Sequence, residues 1–529
     1  MERHDREKTV EKTFAVKSDI GRFILCALVI LAEIVVLIVT FSGLNIYITW
    51  LERLTHVVAL IMVLYIYAAH DISNIKTSYI MLLLIMPIIG VGFLLIMGLN
   101  GHTKKMKQRY ASIDEWLMPK LTEGGVGEKA GLVSEKLCKE DPLLYSVSEY
   151  LSKNSGYPLF KNTDIEYFAD QCEALEAMKQ AISKAKHFIF MEYHAIEDKE
   201  AWHGIEEVLF ERARAGVEVR VFYDDLGSIF FINKEFKNKL EANGVKCRVF
   251  NPFMPPLNFF LDNRDHRKIT VIDGRVGFTG GFNLANEYFN ITHPYGQWKD
   301  TAVKVSGEAV RSMTITFLEN WNATKKGERD EASLTGYLPE IIYEAHEDAY
   351  VQPYADSPMD HEYVGQNTYI SILNRATDYC WFITPYLIIT DEMIYAMTIA
   401  AKRGVDVRII TPGIPDKGFV YRTTRSYYNA LTSKGVRIYE WTPGFCHSKV
   451  CVSDDKVATC GTINLDFRSF FHHFENGCLY MKCKAVLDTR RDFEETFKEC
   501  REVTQYYTTG RGRFLRFEQL LLKLIAPLL

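Results

Sequence analysis

One eight-residue pattern, His-x-Lys-x-x-x-x-Asp, occurs twice in this chain. It reads "HRKITVID" at 266–273 and "HSKVCVSD" at 447–454. After six intervening residues, each copy continues from its aspartate to Gly-x-x-Asn, at 280–283 and at 461–464, although the first copy carries a second glycine. A pattern repeated together with its downstream spacing indicates a duplication, so the chain must fold into two similar domains rather than a solenoid of short repeats.

The segments around the two copies repeat as well. Apolar strands alternate with amphipathic helices, which predicts α/β domains. The predicted strands are "HFIFMEYHA", "VEVRVFYDD" and "VKCRVFNP" in the first half, and "YCWFITPYL", "VDVRIITPG" and "VRIYEWTP" in the second. Gly216 and Gly404 each precede a strand and are typical of helix C-termini. We therefore expect two tandem α/β domains related by pseudo-twofold symmetry.

Three apolar stretches precede these domains, at 23–41, 54–69 and 79–98. The first and third are long enough to cross a bilayer, whereas the second is marginal. Basic residues flank the region on both sides, so both ends favour the cytoplasm and the number of crossings should be even. We expect two crossings, with the middle stretch re-entrant or interfacial, although three remain possible.

The predicted boundaries divide the chain into five segments. They are a cytoplasmic tail (1–22), membrane-spanning segments (23–100), a helical connection (101–160), a first domain (161–340) and a second domain ending in an amphipathic helix (341–529). The final helix is expected either on a membrane surface or packed on the second domain. The apolar loop 253–263 is a candidate substrate lip, or else a buried loop.

Charge and cysteine content narrow the function classes. The formal net charge is −5, which argues against a nucleic-acid-binding protein. Eleven cysteines occur without a Cys-x-x-Cys pair, which indicates neither a disulfide framework nor a zinc site. No acidic cluster resembles a Mg²⁺ or Ca²⁺ site, so we expect neither metal nor cofactor.

The residue types of the motif suit reactions at a phosphodiester. Strand alternation places the histidine and the lysine of each copy on one face. Two lysines and two asparagines would stabilise the charge on the phosphoryl oxygens. One neutral imidazole would attack phosphorus, and the other, protonated, would give its proton to the leaving alcohol. Because each domain has only one such histidine, the two domains must share a site.

The paired motifs resemble those of the phospholipase D superfamily, and their surroundings resemble bacterial cardiolipin synthases. The similar stretches include "HRKITVIDGRVGFTGGFNLANEY", "WKDTAVKVSG", "HSKVCVSDDKVATCGTINLDFRSF" and "LLLKLIAPLL". The resemblance extends from about residue 20 to residue 529. It implies an integral protein of the bacterial cell membrane that joins two phosphatidylglycerol molecules into cardiolipin and glycerol, with the catalytic domains in the cytoplasm. Its partners would be these lipids, and its oligomeric state is open.

The resemblance also assigns residues to roles. It implies that His266 is the nucleophile and His447 the acid, a choice that the symmetric motifs alone leave open. The implied catalytic residues are His266, Lys268, Asp273, His447, Lys449 and Asp454, and the implied phosphate ligands are Asn283 and Asn464. Asp300 and Glu475 are candidates for orienting the two histidines, since a catalytic base needs a partner on its other nitrogen. The alternative is that both are ordinary acids at strand ends.

This chain departs from the family pattern at two places. His473 stands where the family tends to have asparagine, and Lys299 stands where arginine is usual. The extra imidazole would either alter the hydrogen bonding around the site or be a harmless substitution. The lysine matters only if that position makes a bidentate contact.

Two other functions remain open from the residues. The same fold could serve a hydrolytic phospholipase D or a nuclease, and only the charge and the apolar stretches oppose the nuclease. A membrane scaffold that retains an inactive duplication is the non-enzymatic alternative, which the intact motifs oppose. Transfer and hydrolysis differ in whether an alcohol or water acts in the second step, and no motif distinguishes them.

Overall fold

A computed structural model of the protein describes residues 49–69, 72–98, 101–252, 263–325, 329–360, 362–514 and 517–528. The chain divides into two compact units. Among the described residues, the larger unit takes those within 109–252 and 263–519, and the smaller unit takes those within 49–108 and 520–528. Both copies of the repeated motif lie in the larger unit.

The first half of the larger unit is built on a seven-stranded mixed sheet. Its strands lie in the order β1-β9-β7-β6-β2-β3-β4, and β2, β3 and β4 are mutually parallel whereas the others pair antiparallel. The strands of this half are β1 (Thr163–Phe168), β2 (Phe188–Tyr193), β3 (Glu218–Asp224), β4 (Val245–Phe250), β5 (Arg264–Asp265), β6 (Lys268–Ile272), β7 (Val276–Gly280), β8 (Gln297–Lys299) and β9 (Ala302–Gly307).

The second half repeats this sheet. Its main strands lie in the order β10-β19-β17-β16-β11-β13-β14-β20, with β11, β13 and β14 parallel. The strands of this half are β10 (Tyr350–Asp356), β11 (Tyr379–Ile383), β12 (Leu387–Ile388), β13 (Asp406–Pro412), β14 (Arg437–Trp441), β15 (Gly444–Cys446), β16 (Val450–Ser453), β17 (Val457–Gly461), β18 (Leu465–Asp466), β19 (His473–Met481) and β20 (Cys500–Glu502).

The matching strand order confirms the predicted α/β duplication. All six predicted strands are observed, as β2, β3 and β4 and as β11, β13 and β14. Gly216 and Gly404 follow helices and have φ values of 87° and 97°, a left-handed conformation that glycine adopts without steric cost. Sequence patterning alone did not predict the outer strands β1 and β10, which close the far edge of each sheet.

Helices cover both sheets. The helix Val310–Thr324 is buried on almost every side because it packs against the first sheet and also against β10. The helix Lys484–Lys498 packs against the second sheet and against β1 in the same reciprocal manner. The other helices of seven or more residues in this unit are Val126–Glu140, Pro142–Asn154, Gln171–Ser183, Glu200–Arg214, Lys234–Ala242, Val364–Arg375, Asp391–Lys402 and Gly418–Thr432.

Shorter helical turns complete this unit. They are the α-helical turns Asp225–Ser228, Leu334–Tyr337, Phe467–Phe471 and Thr504–Thr508, and the 3₁₀ turns Met118–Leu121, Asn286–Phe289 and Arg511–Arg513.

The smaller unit is helical. Its helices are Thr49–Ala68, Ser73–Ile85 and Pro87–Gly98, and it also contains the 3₁₀ turn Ala526–Leu528. Two further helices, Gly101–Leu117 and Phe517–Ile525, cross the division between the units. Within the smaller unit the Ser78 hydroxyl donates to the Leu524 carbonyl at 2.7 Å, so the end of the chain contacts the N-terminal helices.

The predicted apolar stretches have different outcomes. The first, at 23–41, and the loop at 253–262 lie outside the described residues. The third, at 79–98, is divided between two helices because Pro87 lacks the N–H needed to continue the preceding one. Among the residues that the structure describes, every helix is too short or too polar to cross a bilayer.

Candidate active site

The two motifs lie where the two halves of the larger unit meet. His266 lies between β5 and β6, and His447 lies between β15 and β16. The histidine and the lysine of each motif copy are buried. His266 is 8% exposed, His447 is 6% exposed, and Lys268 and Lys449 are each 1% exposed. A buried lysine is unusual unless it is paired or functional, so these four groups are the strongest site candidate.

Short strands exchange between the halves and bring the motifs together. β5, just before His266, pairs in parallel with β19 of the second half. β15, just before His447, pairs in parallel with β8 of the first half. The His266 N–H donates to the Phe474 carbonyl at 2.9 Å, and the His447 N–H donates to the Lys299 carbonyl at 2.7 Å. Each histidine is therefore fixed beside a strand of the opposite half.

This exchange gives each histidine a carboxylate from the other half. His266 Nδ1 lies 2.9 Å from both carboxylate oxygens of Glu475. His447 Nδ1 lies 2.7 Å from Asp300 Oδ2. An Nδ1–H that donates to a carboxylate leaves the Nε2 lone pair free for chemistry. The structure thus places Asp300 and Glu475 where histidine-orienting groups would lie.

The motif lysines lie on the same side as the imidazoles. Lys268 Nζ donates to the His266 carbonyl at 2.7 Å, and Lys449 Nζ donates to the His447 carbonyl. Burial lowers the pKa of Lys268 to about 7, with the charge of Lys449 adding to the effect. Burial also lowers the pKa of Lys449 to about 8. The charge of Lys449 acts on Lys268, and both lysine charges act on both imidazoles, which indicates that the motifs converge on one site.

Both imidazoles have a pKa below the ordinary value of histidine. Burial holds the pKa of His266 well below its ordinary value, and the charges of Lys268, Lys449 and His447 lower it further. Burial and Lys449 lower the pKa of His447 to about 3, although Asp300 opposes this shift. Burial acts on Asp300 in the opposite sense, yet His447 and Lys449 hold the pKa of Asp300 below its usual value. An anion bound near the lysines would favour protonation of one imidazole.

The motif aspartates occupy the other end of their strands. Asp273 accepts hydrogen bonds from the N–H groups of Lys186, His187 and Phe188 at 2.7–2.9 Å. Asp454 likewise accepts from the N–H groups of residues 377–379 and from Arg375. Both have positive φ, of 53° and 56°. Their carboxylates cap the turn that starts the neighbouring strand, and the catalytic role expected for them stays a prediction.

The two asparagines differ in their contacts. Asn283 Oδ1 accepts from the Ala195 N–H at 3.2 Å, and its Nδ2 donates to the Tyr288 hydroxyl at 2.8 Å. Asn464 is 4% exposed, and its Oδ1 has no hydrogen-bond partner among the described residues. A phosphate oxygen accepts hydrogen bonds, so it would need the Nδ2 donor of an asparagine. The Nδ2 of Asn283 already donates to Tyr288, which makes Asn464 the better candidate of the two.

Different rings surround the two imidazoles. The rings of Tyr288, Trp298 and Phe445 lie 5.2–5.8 Å from that of His447. The His266 ring instead has two imidazoles beside it, His194 at 5.1 Å and His473 at 5.4 Å. Sequence reasoning missed His194, Tyr288, Trp298 and Phe445 as site neighbours, because they lie outside the motifs and only the tertiary fold brings them there.

Lys299 makes a structural contact. Its Nζ lies 2.7 Å from Asp492 Oδ1 and also contacts the Ala169 carbonyl. A lysine satisfies this single ion pair, so the departure from arginine does not alter the imidazoles directly.

Comparison with known proteins agrees with this geometry. The family model described as "Cardiolipin synthase, PLD-like domain" matches residues 178–318 and 369–497. A protein of Halalkalibacterium halodurans named cardiolipin synthase is 32% identical over 453 residues, covering 85% of this chain and 88% of that protein. A Streptococcus mutans protein described as uncharacterized is 40% identical over 452 residues, covering 85% and 96%.

A solved structure supports the fold alone. The phosphatidylserine synthase of Haemophilus influenzae superposes with a TM-score of 0.54 at 15% sequence identity. The match covers 72% of this chain and 98% of that one.

Proposed function

Since the chain belongs to the cardiolipin synthases built from phospholipase D-like domains, we propose that it joins two phosphatidylglycerol molecules into cardiolipin and glycerol. It is a phosphatidyltransferase. The observation that supports a single shared reaction centre is the crossed pairing, His266 with Glu475 and His447 with Asp300, because neither half holds a complete histidine–carboxylate pair.

In the first step His266 is the nucleophile. Its Nδ1–H donates to Glu475, so Nε2 is free to attack the phosphorus of the first lipid. A P–N bond forms while the bond from phosphorus to the glycerol oxygen breaks. His447, protonated once the anionic lipid is bound, gives its proton to that oxygen. Glycerol leaves, and a phosphatidyl-histidine remains.

In the second step the roles reverse. A hydroxyl of the second phosphatidylglycerol attacks phosphorus from the side that glycerol left. His447 takes its proton, the P–N bond breaks, and the electron pair returns to His266 Nε2. Asp300 stabilises the His447 imidazolium because the two form a close, buried pair at 2.7 Å.

Charge stabilisation comes from the lysines and from Asn464. Lys268 and Lys449 face the position of the phosphoryl oxygens, and in a buried site their charges act strongly. The Asn464 Nδ2 would donate a hydrogen bond to the same phosphoryl oxygens. The two lysines supply the positive charge that a metal supplies in other phosphotransferases, so we propose a metal-independent reaction.

The membrane location is also part of the proposal. The apolar stretches 23–41, 54–69 and 79–98 would anchor the chain in the bacterial cell membrane, with two crossings and the catalytic domains in the cytoplasm. The boundaries would be 1–22, 23–100, 101–160, 161–340 and 341–529. An anchored site would meet its two lipid substrates without extracting them fully from the bilayer.

A product assay tests this function. Purified full-length protein in mixed micelles would receive phosphatidylglycerol labelled in its phosphate and, separately, in its terminal glycerol. We expect cardiolipin and free glycerol in equal amounts. Phosphatidic acid as the sole phospholipid product, together with glycerol, would identify a hydrolase instead. No turnover would contradict both the transferase and the hydrolase. His447→Ala provides the inactive control prepared in the same way.

A further inference from the structure

Each orienting carboxylate accepts two hydrogen bonds, but the Glu475 carboxylate has a third donor close by. Glu475 receives His266 Nδ1 and also the Thr462 hydroxyl, and His473 Nδ1 lies 3.6 Å from its Oε1. Asp300 pairs with His447 through Oδ2 and accepts the Thr301 N–H through Oδ1 at 2.9 Å. Trp298, which precedes Asp300 by two residues as His473 precedes Glu475, makes no hydrogen bond through Nε1 among the described residues.

Arg468 fixes the tautomer of His473. Its guanidinium Nε lies 3.2 Å from His473 Nε2. Arginine always donates, so this Nε2 must accept, and the single proton of a neutral ring then lies on Nδ1. Burial keeps the pKa of His473 well below its ordinary value, so the ring is neutral near pH 7.

The resulting donor, His473 Nδ1, is buried and lies 3.6 Å from Glu475 Oε1, just beyond hydrogen-bond distance. The His473 side chain is only 10% exposed, and Nδ1 has no partner within hydrogen-bond distance among the described residues. A movement of about half an ångström would bring it into hydrogen-bond range of Glu475 Oε1. His266, His473 and Glu475 also have the spacing of a cation site. A cation would need the Nδ1 lone pair, which this tautomer does not offer.

We propose that His473 is a positioning residue that acts through Glu475 to shorten the lifetime of the phosphatidyl-histidine on His266. The inference rests on the proposed function. In that intermediate the His266 ring carries a positive charge, which Glu475 stabilises. A second imidazole donating to the same carboxylate withdraws part of its negative charge. His266 therefore becomes a better leaving group when the acceptor hydroxyl attacks phosphorus.

The experiment measures the covalent intermediate directly. Full-length protein in mixed micelles would be mixed with phosphate-labelled phosphatidylglycerol, quenched in alkaline detergent during steady-state turnover, and assayed for label on protein. We compare wild type with His473→Leu, which removes the donor, and with His473→Asn, whose amide N–H can donate to the same carboxylate. His203→Leu removes an imidazole that pairs with Asp198 elsewhere and serves as the control.

We expect His473→Leu to raise the labelled fraction and to lower kcat about five- to tenfold, as the loss of one hydrogen bond predicts. His473→Asn should restore values near those of wild type. If His473→Leu fails to fold, Thr462→Val removes the Thr462 hydroxyl as a donor to Glu475 and should also raise the labelled fraction.

Two results would overturn the inference in different ways. A wild-type protein that makes cardiolipin without carrying label would refute the histidine intermediate itself. A labelled wild type whose labelled fraction is unchanged in both His473→Leu and Thr462→Val would leave the proposed function standing and would remove His473 from it.

Discussion

The His266 and His447 halves of the site share one backbone frame but differ in their surroundings. His447 has Asp300 at 2.7 Å and aromatic rings around it. His266 shares Glu475 with Thr462 and has imidazoles as neighbours. A duplication supplies two equal imidazoles, whereas the reaction needs one that gives up a proton and one that attacks phosphorus. Residues outside the motif therefore separate the proposed roles of nucleophile and acid. The shorter distance between His447 and its carboxylate favours His447 as the acid.

The largest expected effect separates the nucleophile from the acid. His266→Ala and His447→Ala should each lower turnover of phosphatidylglycerol by at least ~10⁴-fold. An aryl phosphodiester, whose leaving group needs no proton, should restore the first step in His447→Ala but not in His266→Ala. The release of phenol and the label on protein measure this step. Rescue of His266→Ala instead would reverse the two roles.

The orienting carboxylates should differ in importance. Asp300→Asn should lower kcat/KM by roughly 10³-fold because the amide no longer stabilises the His447 imidazolium. Glu475→Gln should lower it by roughly 10–100-fold, as expected for a partner that holds a neutral ring. Steady-state kinetics of both variants measure the two losses in kcat/KM and their ratio. Equal losses would indicate that the two halves are functionally symmetric.

The lysines predict a pH dependence. Burial lowers the pKa of Lys268 to about 7 and that of Lys449 to about 8, and in the proposed reaction each lysine is protonated when the anionic lipid binds. Because protons are lost as pH rises, kcat/KM should fall about tenfold for each pH unit above the lower pKa, and more steeply above both. Lys268→Arg keeps its charge and should remove the fall near pH 7, leaving the one near pH 8. An unchanged profile in this variant would assign the fall to another group.

The asparagines should separate binding from stability. Asn464→Ala should raise KM about tenfold because it removes the Nδ2 donor proposed for the phosphate. Its thermal stability should change little, because its Oδ1 has no partner to lose among the described residues. Asn283→Ala should lower the free energy of unfolding by about 1–3 kcal/mol, since it leaves Tyr288 and the Ala195 N–H without their partner. Steady-state kinetics and thermal melting on the same samples distinguish the two variants. Equal changes in KM and in thermal stability would contradict the proposed difference between the two asparagines.

The repeated motif made much of this arrangement predictable. Strand alternation places His266 and Lys268 on one face, and the parallel strands follow from local apolar patterns. The need for two imidazoles implied a shared site. Asp300 and Glu475 could be nominated because a catalytic imidazole requires a partner on its other nitrogen.

The crossing of the two halves could not be predicted from the sequence. It depends on the pairing of β5 with β19 and of β15 with β8, each only two or three residues long. Such short pairings carry no periodic signal. The contacts of Asp273 with the N–H groups at the start of β2 could not be predicted either, because a strand of five residues separates Asp273 from His266 in space.

Chelation should have the smallest effect. It tests whether the His266 half of the site works without a metal ion. Lys268 and Lys449 already provide two ammonium groups beside the imidazoles, and their charges oppose a bound cation. His266 Nδ1 donates to Glu475, and Arg468 fixes His473 as a donor at Nδ1, so neither Nδ1 has a lone pair for a metal. Dialysis against EDTA should therefore leave kcat and KM unchanged, with dialysis against buffer alone as the control. A loss of activity that zinc or magnesium restores would make this half a metal site, and the contrast with the His447 half would then have to be explained by the ion.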